Sequence, residues 1–328
     1  MSGETAARLS SPEQIAVGAG EQAPFLRLPD PSTVFAEREV RLRALAAGHA
    51  MRDYLLLIAE IALAQHRSIA GTSPSGGPDR LALDEAARRS EPPLAAERWP
   101  RDACWRGALR SMLGTLAQRL AEGSARSSVR RLAAQPDEFL EAQADRLLSG
   151  ISVGVEAAFA PLIGAGLQAY WTALVAATAD RHGSEAFGRT RSNTRCPCCG
   201  FRPTASIVHI GGREAGYRYL HCALCSAQWH MVRIKCAHCE GTKGIHYEAL
   251  DRAGQPAAPG GRSAAAVRAE CCDVCGHYLK ILYKEHDHEV EPVADDLATV
   301  PLDLLVCETG KTPAGVNLML LYGDPGDG

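Results

Sequence analysis

The chain has 328 residues, of which 46% are hydrophobic, and its 35 Lys and Arg residues nearly balance 38 Asp and Glu residues, giving a net charge of −3. This length corresponds to about two domains of ~150 residues, and the hydrophobic share excludes a wholly disordered chain. The near-neutral charge argues against a dedicated nucleic-acid binder, which must neutralise many phosphates.

The first 185 residues predict a leader followed by a helical domain. Residues 1–34 are expected to be a flexible leader, and because they lack a basic start and an apolar core they predict no secretory signal, hence a cytoplasmic location. From residue 35 to residue 185, apolar side chains at helical spacing, such as Met51, Leu55 and Ile58, predict an all-helical bundle. No Gly-rich phosphate loop or nucleophile elbow occurs there, so we expect no enzyme.

One segment of this helical domain is apolar enough to raise the question of a membrane span. Leu162–Ala179 carries no charge over 18 residues, which is close to the length needed to cross a bilayer. Gly164, Gly166 and Gln168 dilute its hydrophobicity. We therefore predict a buried helix and no membrane span.

A run of basic residues follows the helical domain and resembles a linker. It contains Arg181, Arg189, Arg191, Arg195 and, slightly later, Arg202. Such a patch is typical either of a solvated hinge or of a surface for an acidic partner or nucleic acid. The hinge is favoured because no aromatic side chains are interleaved for base stacking.

The chemistry of the chain is concentrated in its cysteines. Ten of the 12 lie between Cys196 and Cys275, and eight of these form four Cys-x-x-Cys pairs. In a cytosolic chain such pairs indicate metal ligands or redox thiols before disulfides. Two thiolates spaced by two residues can turn around one ion, and a tetrahedral site takes four sulfurs. The four pairs therefore predict two bound metal ions.

The spacing assigns the pairs to two consecutive ribbon modules, at residues 186–235 and 236–290. The predicted ligands of the first ion are Cys196, Cys199, Cys222 and Cys225, and those of the second are Cys236, Cys239, Cys272 and Cys275. Gln228–Lys235 predicts one strand that joins the modules. Two alternatives stay open. The pairs could be interleaved, with the first pair sharing an ion with the third, and Cys198 or Cys271 could replace a neighbouring cysteine as a ligand. Sulfur-only sites suit zinc and iron alike.

Several longer motifs resemble one known family. They are Cys-Pro-Cys-Cys-Gly-Phe-Arg-Pro from Cys196, Gly-Tyr-Arg-Tyr-Leu-His-Cys-Ala-Leu-Cys from Gly216, Trp-His-Met-Val-Arg-Ile-Lys-Cys from Trp229, Tyr-Leu-Lys from Tyr278 and Glu-Pro-Val-Ala-Asp-Asp-Leu-Ala-Thr from Glu291. Together with Phe35-Ala-Glu-Arg and Asp53-Tyr-Leu near the start, they are similar to the formate dehydrogenase accessory (formation) proteins of E type. Cys198, Cys271 and Pro301 depart from the family pattern.

The resemblance implies a cytoplasmic factor that promotes assembly of a respiratory formate dehydrogenase and whose partner is that enzyme's catalytic subunit. It implies an α+β fold with a helical N-terminal domain, two rubredoxin-like, zinc-ribbon-like Cys₄ modules and a C-terminal helix and tail at residues 291–328. It favours iron over zinc as the bound metal. Whether the metals are structural or redox-active stays open, and no catalytic residues are expected.

Partner-binding residues are expected among exposed side chains near the modules and the C-terminal helix. The candidates are Asp295, Asp296 and Trp229. A zinc-ribbon regulator that binds nucleic acid is the alternative function. A metal-dependent hydrolase is disfavoured because closed all-thiolate sites leave no position for water.

Overall fold

The computed structural model describes residues 23–250, except 73 and 152, and residues 265–320. Helices make up the first part of the described chain and pack on a mixed β-sheet, so the predicted combination of helices and sheet is confirmed. The helices are α1 (Val34–Ala46), α2 (Arg52–Ile69), α3 (Arg80–Arg89), α4 (Cys104–Arg119), α5 (Ser124–Ala133), α6 (Asp137–Leu148), α7 (Ala160–His182), α8 (Pro292–Ala298) and α9 (Val300–Glu308).

The apolar helix α7 is the centre of the helical part. Among the described residues it is the one helix long and apolar enough to cross a membrane, but 83% of its most apolar window is buried inside the molecule. The prediction of a buried helix is thus confirmed. Its glycines permit close packing, because a Cβ on Gly164 would lie 2.9 Å from the Leu318 carbonyl oxygen and one on Gly166 would lie 3.1 Å from Leu109 Cδ1.

Within the described residues one sheet contains eight strands. They are β1 (Leu26–Arg27), β2 (Pro203–Val208), β3 (Arg218–Cys222), β4 (Gln228–His230), β5 (Ile245–Glu248), β6 (Val267–Cys272), β7 (His277–Tyr283) and β8 (Thr312–Pro313). The strand order is β1-β4-β3-β2-β7-β6-β5, with β8 beside β7. Two antiparallel ribbons, β2–β4 and β5–β7, therefore meet along β2 and β7.

The two ribbons form one continuous sheet, because β2 and β7 pair directly. The pairing is parallel and aligns Ser206 with Ile281 and Val208 with Tyr283. An unpaired strand edge exposes backbone hydrogen-bond donors and acceptors. Here the edge strand of each ribbon forms hydrogen bonds with the edge strand of the other. The expected single strand Gln228–Lys235 is wrong: β4 ends at His230, and a turn closed by Lys235 N–H to the Val232 carbonyl leads into Cys236.

The expected leader contributes to the sheet where it is described. Leu26 and Arg27 form the edge strand β1, in which Leu26 pairs with Trp229 of β4. Residues 23–34 are therefore part of the fold rather than a tail, because their backbone groups complete the edge of β4. Residues 1–22, the rest of the expected leader, lie outside the described residues.

Candidate metal centres

The four Cys-x-x-Cys segments, which we call knuckles, share one backbone geometry. In each knuckle the residue after the second cysteine has a positive φ; these residues are Gly200 (71°), Ser226 (58°), Glu240 (57°) and Gly276 (72°). The left-handed conformation lets the chain turn back after the second cysteine, and Gly200 N–H, for example, donates to the Cys196 carbonyl at 2.8 Å. Ser226 and Glu240 adopt it although side chains disfavour it, so this turn cannot be recognised from glycines alone.

The first centre consists of Cys196, Cys199, Cys222 and Cys225, whose sulfurs all lie within 4.8 Å of one another. Cys199 Sγ is 3.4 Å from Cys222 Sγ, and Cys196 Sγ is 3.6 Å from Cys225 Sγ. Four thiolates at about 2.3 Å from a tetrahedral ion stand about 3.8 Å apart, so the four sulfurs fit one metal ion. All four cysteines are fully buried.

The second centre consists of Cys236, Cys239, Cys272 and Cys275 and has similar geometry in a different environment. Its sulfurs are 3.7 Å apart between Cys236 and Cys275 and 4.0 Å apart between Cys239 and Cys272, which also fits one tetrahedral ion. Cys239 is exposed and Cys275 half-buried. The two centres therefore differ in their access to solvent.

The structure brings together the two predicted sets of cysteines and leaves the extra thiols outside them. Cys198 is buried within the first knuckle beside the thiols of Cys196 and Cys225, but it belongs to neither set of four. Cys271 lies next to His246 and Glu248 instead of joining Cys272. The sets that lie together are therefore the two consecutive ones rather than an interleaved pairing.

The electrostatics of the first centre favour a bound cation. Burial raises the pKa of the Cys199 and Cys225 thiols, and hydrogen bonds to Cys196 raise it further. Four thiolates cannot share such a site without a positive charge to offset their repulsion and desolvation. A metal ion would supply that charge, and the N–H groups of Leu224 and Cys225, each 3.4 Å from Cys222 Sγ, orient that sulfur.

The first centre is attached to the helical part by backbone hydrogen bonds. The N–H groups of Leu94 and Ala96 donate to the carbonyls of Cys198 and Cys199 at 3.0 and 2.9 Å. On the opposite knuckle, Gln168 Nε2 of α7 donates to the Ala223 carbonyl at 2.8 Å. The knuckles are thus held from two sides by residues remote in sequence.

A fully buried arginine on α1 extends this connection. Arg38 donates from Nε to Glu291 Oε1 at 3.0 Å, from Nη1 to Gln168 Oε1 at 3.3 Å and from Nη2 to Ser226 Oγ at 3.5 Å. Since Ser226 follows the last ligand of the first centre, the guanidinium links α1, α7, the knuckle and the entry to α8. Sequence analysis missed this role because an arginine in a helical pattern is expected at the surface.

The histidines near the knuckles occupy two kinds of environment. His221 precedes Cys222 and is buried, and neither of its ring nitrogens has a hydrogen-bond partner among the described residues. It lines a cavity of about 770 Å³ between α1, β2–β4 and residues 284–292. At the second centre, the rings of His238 and His277 stack with their centroids 3.6 Å apart.

The three expected partner-binding residues are not exposed. Trp229 is 0% exposed and donates from Nε1 to the Asn193 carbonyl at 2.8 Å. Asp295 accepts from Arg41 at 2.6 Å, and Asp296 lies 3.2 Å from Lys280 Nζ. The expected exposure is wrong, because paired carboxylates can be buried and the sequence does not show their partners.

The basic linker is also more ordered than a solvated hinge. The Arg189 guanidinium lies 4.0 Å from the centroid of the Phe25 ring, and Arg191 Nε donates to the Arg89 carbonyl at 3.0 Å. The bond from Trp229 to Asn193 fixes the end of the linker. Arg189 and Arg191 therefore make separate contacts, whereas Arg195 and Arg202 line one pocket together.

The difference in burial predicts that a chelator distinguishes the two centres. During anaerobic treatment with a metal chelator, we expect the second centre to release its ion about tenfold faster or more, because the buried first centre opens only through local unfolding. Mass spectrometry after thiol alkylation measures this: Cys239 and Cys275 should be modified first. If Cys196 and Cys199 of the first centre were modified as fast as Cys239 and Cys275, the prediction would be contradicted.

Comparison with known proteins assigns most of the chain to three family models. Residues 23–186 match the model for the FdhE N-terminal domain, residues 195–233 that for the FdhE central domain and residues 234–320 that for the FdhE C-terminal domain. The first centre falls within the central match and the second within the C-terminal match.

Individual relatives and a solved structure agree with these models. The chain is 36% identical over 304 residues to the protein FdhE homolog of Cronobacter sakazakii and to protein FdhE of Salmonella dublin, in each case covering 93% of both chains. The crystal structure of the FdhE protein from Pseudomonas aeruginosa superposes with a TM-score of 0.76 at 35% identity, covering 92% of this chain and 100% of that one.

Proposed function

The chain belongs to the FdhE family of formate dehydrogenase accessory proteins, and we therefore propose that it binds the catalytic subunit of a respiratory formate dehydrogenase and promotes formation of the active enzyme. A cytoplasmic location, before the subunit is exported, is part of the proposal. The observation that carries it is the similarity to FdhE relatives over 93% of the chain, joined to two sets of four cysteines that each fit one metal ion. The chain itself is proposed to turn over no substrate.

The bound ions are proposed to be iron, which the family resemblance favours, with zinc as the alternative. Either ion supplies the positive charge that allows four thiolates to share a site, and iron adds a one-electron couple. We propose that the first centre is structural, because it lies in the core that helices and sheet share. The second centre, whose ligand Cys239 is exposed, is the one available to a partner.

We place the docking surface for the catalytic subunit beside the second centre. Val232 and Ile234, just before its first ligand, are 47% and 65% exposed, and Val274, inside its last knuckle, is 68% exposed. Exposed apolar side chains near a rigid, metal-held turn suit recognition of another protein. Asp295, Asp296 and Trp229 are proposed to support binding indirectly, by holding α8 and β4 in place.

This placement predicts the effect of two acidic substitutions. We expect Ile234→Asp combined with Val274→Asp to weaken capture of the catalytic subunit by tenfold or more, about 1.4 kcal/mol, since a buried contact would be replaced by desolvated carboxylates. Binding assays with the purified subunit measure the affinity, and metal analysis verifies both centres. Leu81→Asp on α3, where the side chain is 78% exposed, is the matched control and should bind normally.

Two experiments test the proposal as a whole: deletion of the gene, and capture of the catalytic subunit by the tagged chain. A strain that lacks the gene should lose respiratory formate dehydrogenase activity and regain it with the wild-type chain, and the tagged chain should retain the catalytic subunit. Capture of nucleic acid at moderate salt, without capture of the subunit, would instead support the alternative of a nucleic-acid-binding regulator.

A further inference from the structure

A third group of metal-binding side chains lies outside both Cys₄ centres. His246, Glu248 and Cys271 each direct one ligand atom into a space where all three atoms lie within 4.8 Å of one another. The sheet creates this group, because His246 on β5 is directly opposite Cys271 on β6 and Glu248 follows two residues later on the same face. The group is therefore fixed by strand register.

The group is distinct from the second centre although Cys271 and Cys272 are adjacent. Successive residues of a strand point to opposite faces, so Cys272 contributes to the second centre and Cys271 faces the other side of the sheet. There its side chain packs with Ala269, Tyr278, Leu302 and Val306, under α9. Cys271 thus cannot serve both groups.

The geometry around His246 matches that of a zinc ligand. Its Nε2 is 3.3 Å from Glu248 Oε1, and two atoms bound to one tetrahedral zinc ion at about 2.0–2.1 Å are separated by about 3.3–3.4 Å. Its Nδ1 is 3.4 Å from Asp273 Oδ2, and the other oxygen of Asp273 accepts from Lys311 Nζ at 2.5 Å. An outer carboxylate on the second ring nitrogen is the usual way in which a ligating imidazole is oriented.

We propose that His246, Glu248 and Cys271 form a third metal site, which takes a borderline divalent cation such as Zn²⁺ and keeps its fourth position open to solvent. Cys271 supplies a fully buried anchor, whereas the side chains of His246 and Glu248 are 40% and 35% exposed, so an ion can enter from that side. Three mixed ligands plus water are typical of zinc sites that exchange or activate a bound group. The site is independent of the proposed maturation function.

The experiment uses the full chain, purified without oxygen and with both Cys₄ centres loaded. Titration with Zn²⁺ in competition with a chromophoric chelator should reveal one additional equivalent. His246→Gln and Cys271→Ala should lose this equivalent, and Asp273→Asn should weaken it by about 10–100-fold. With Co²⁺ as the probe, a thiolate-to-cobalt charge-transfer band should appear in the wild type and be absent from Cys271→Ala.

The control is Cys198→Ala, which removes another buried thiol that belongs to neither Cys₄ centre and should keep the additional equivalent. If Cys271→Ala fails to fold, the half-exposed His246 still provides the test, because His246→Gln disturbs no core packing. Absence of zinc uptake beyond the two centres in the wild type would overturn the proposal. Equal uptake by the wild type and His246→Gln would do the same.

Discussion

Cys196→Ser is expected to abolish metal binding at the first centre and to unfold the region around it. A structural site of this kind contributes about 10–16 kcal/mol of apparent binding free energy, comparable with the ~5–15 kcal/mol of stability of a whole domain. The loss extends beyond the sheet because the cysteines of the first centre belong to the same core cluster as helix α7. Metal analysis and thermal unfolding of the purified variant measure both effects.

Two other cysteines make this prediction specific. Cys198→Ser changes a buried thiol in the same knuckle that lies outside the set of four, and it should keep the full metal content with a small loss of stability. Cys239→Ser should lose the ion of the second centre and leave the helical part folded, since Cys239 is exposed. A Cys198 variant as poor in metal as the Cys196 variant would show that the ligand set is wrong.

Arg38→Met is expected to destabilise the protein by about 3–5 kcal/mol, because it leaves Glu291 as a buried carboxylate without its cationic partner. The same change removes the bonds from Arg38 to Gln168 Oε1 and Ser226 Oγ, while Gln168 keeps its bond to the Ala223 carbonyl. Chemical denaturation of metal-loaded protein measures the free energy of unfolding.

A second substitution distinguishes the contribution of the ion pair to stability from that of the packing of the Arg38 side chain. Glu291→Gln added to Arg38→Met should restore part of the stability, because burying an amide costs less free energy than burying an unpaired carboxylate at the same position. Arg80→Ala, which breaks an exposed pair with Asp84 at 3.2 Å, should cost about 1 kcal/mol or less. A similar loss for Arg38→Met and Arg80→Ala would refute the role assigned to Arg38.

The features that local spacing encodes could be predicted from the sequence. The Cys-x-x-Cys pairs determine which sulfurs lie together, because two residues between ligands leave few ways to turn around one ion. The apolar run of α7 indicated a core helix because Gly164, Gly166 and Gln168 lower its hydrophobicity. In both cases the signal lies within one short stretch.

The features that depend on distant pairing could not be predicted. Nothing near Pro203–Val208 indicates that this strand pairs in parallel with His277–Tyr283, so the pairing between the two ribbons was not expected. For the same reason Asp295 and Asp296 were expected at the surface, although Arg41 and Lys280 neutralise them inside. Charged side chains are predicted to be exposed unless their partners are known, and those partners come from other elements.

The parallel pair of β2 and β7 also imposes an order of events during synthesis. After β2 has left the ribosome, residues 209–283 must still be added before its partner exists, which takes about 4–15 s at ~5–20 residues per second. Throughout that interval the newly made β2 presents an open edge to the crowded cell. The nascent chain therefore passes through a window in which premature association competes with completion of the fold.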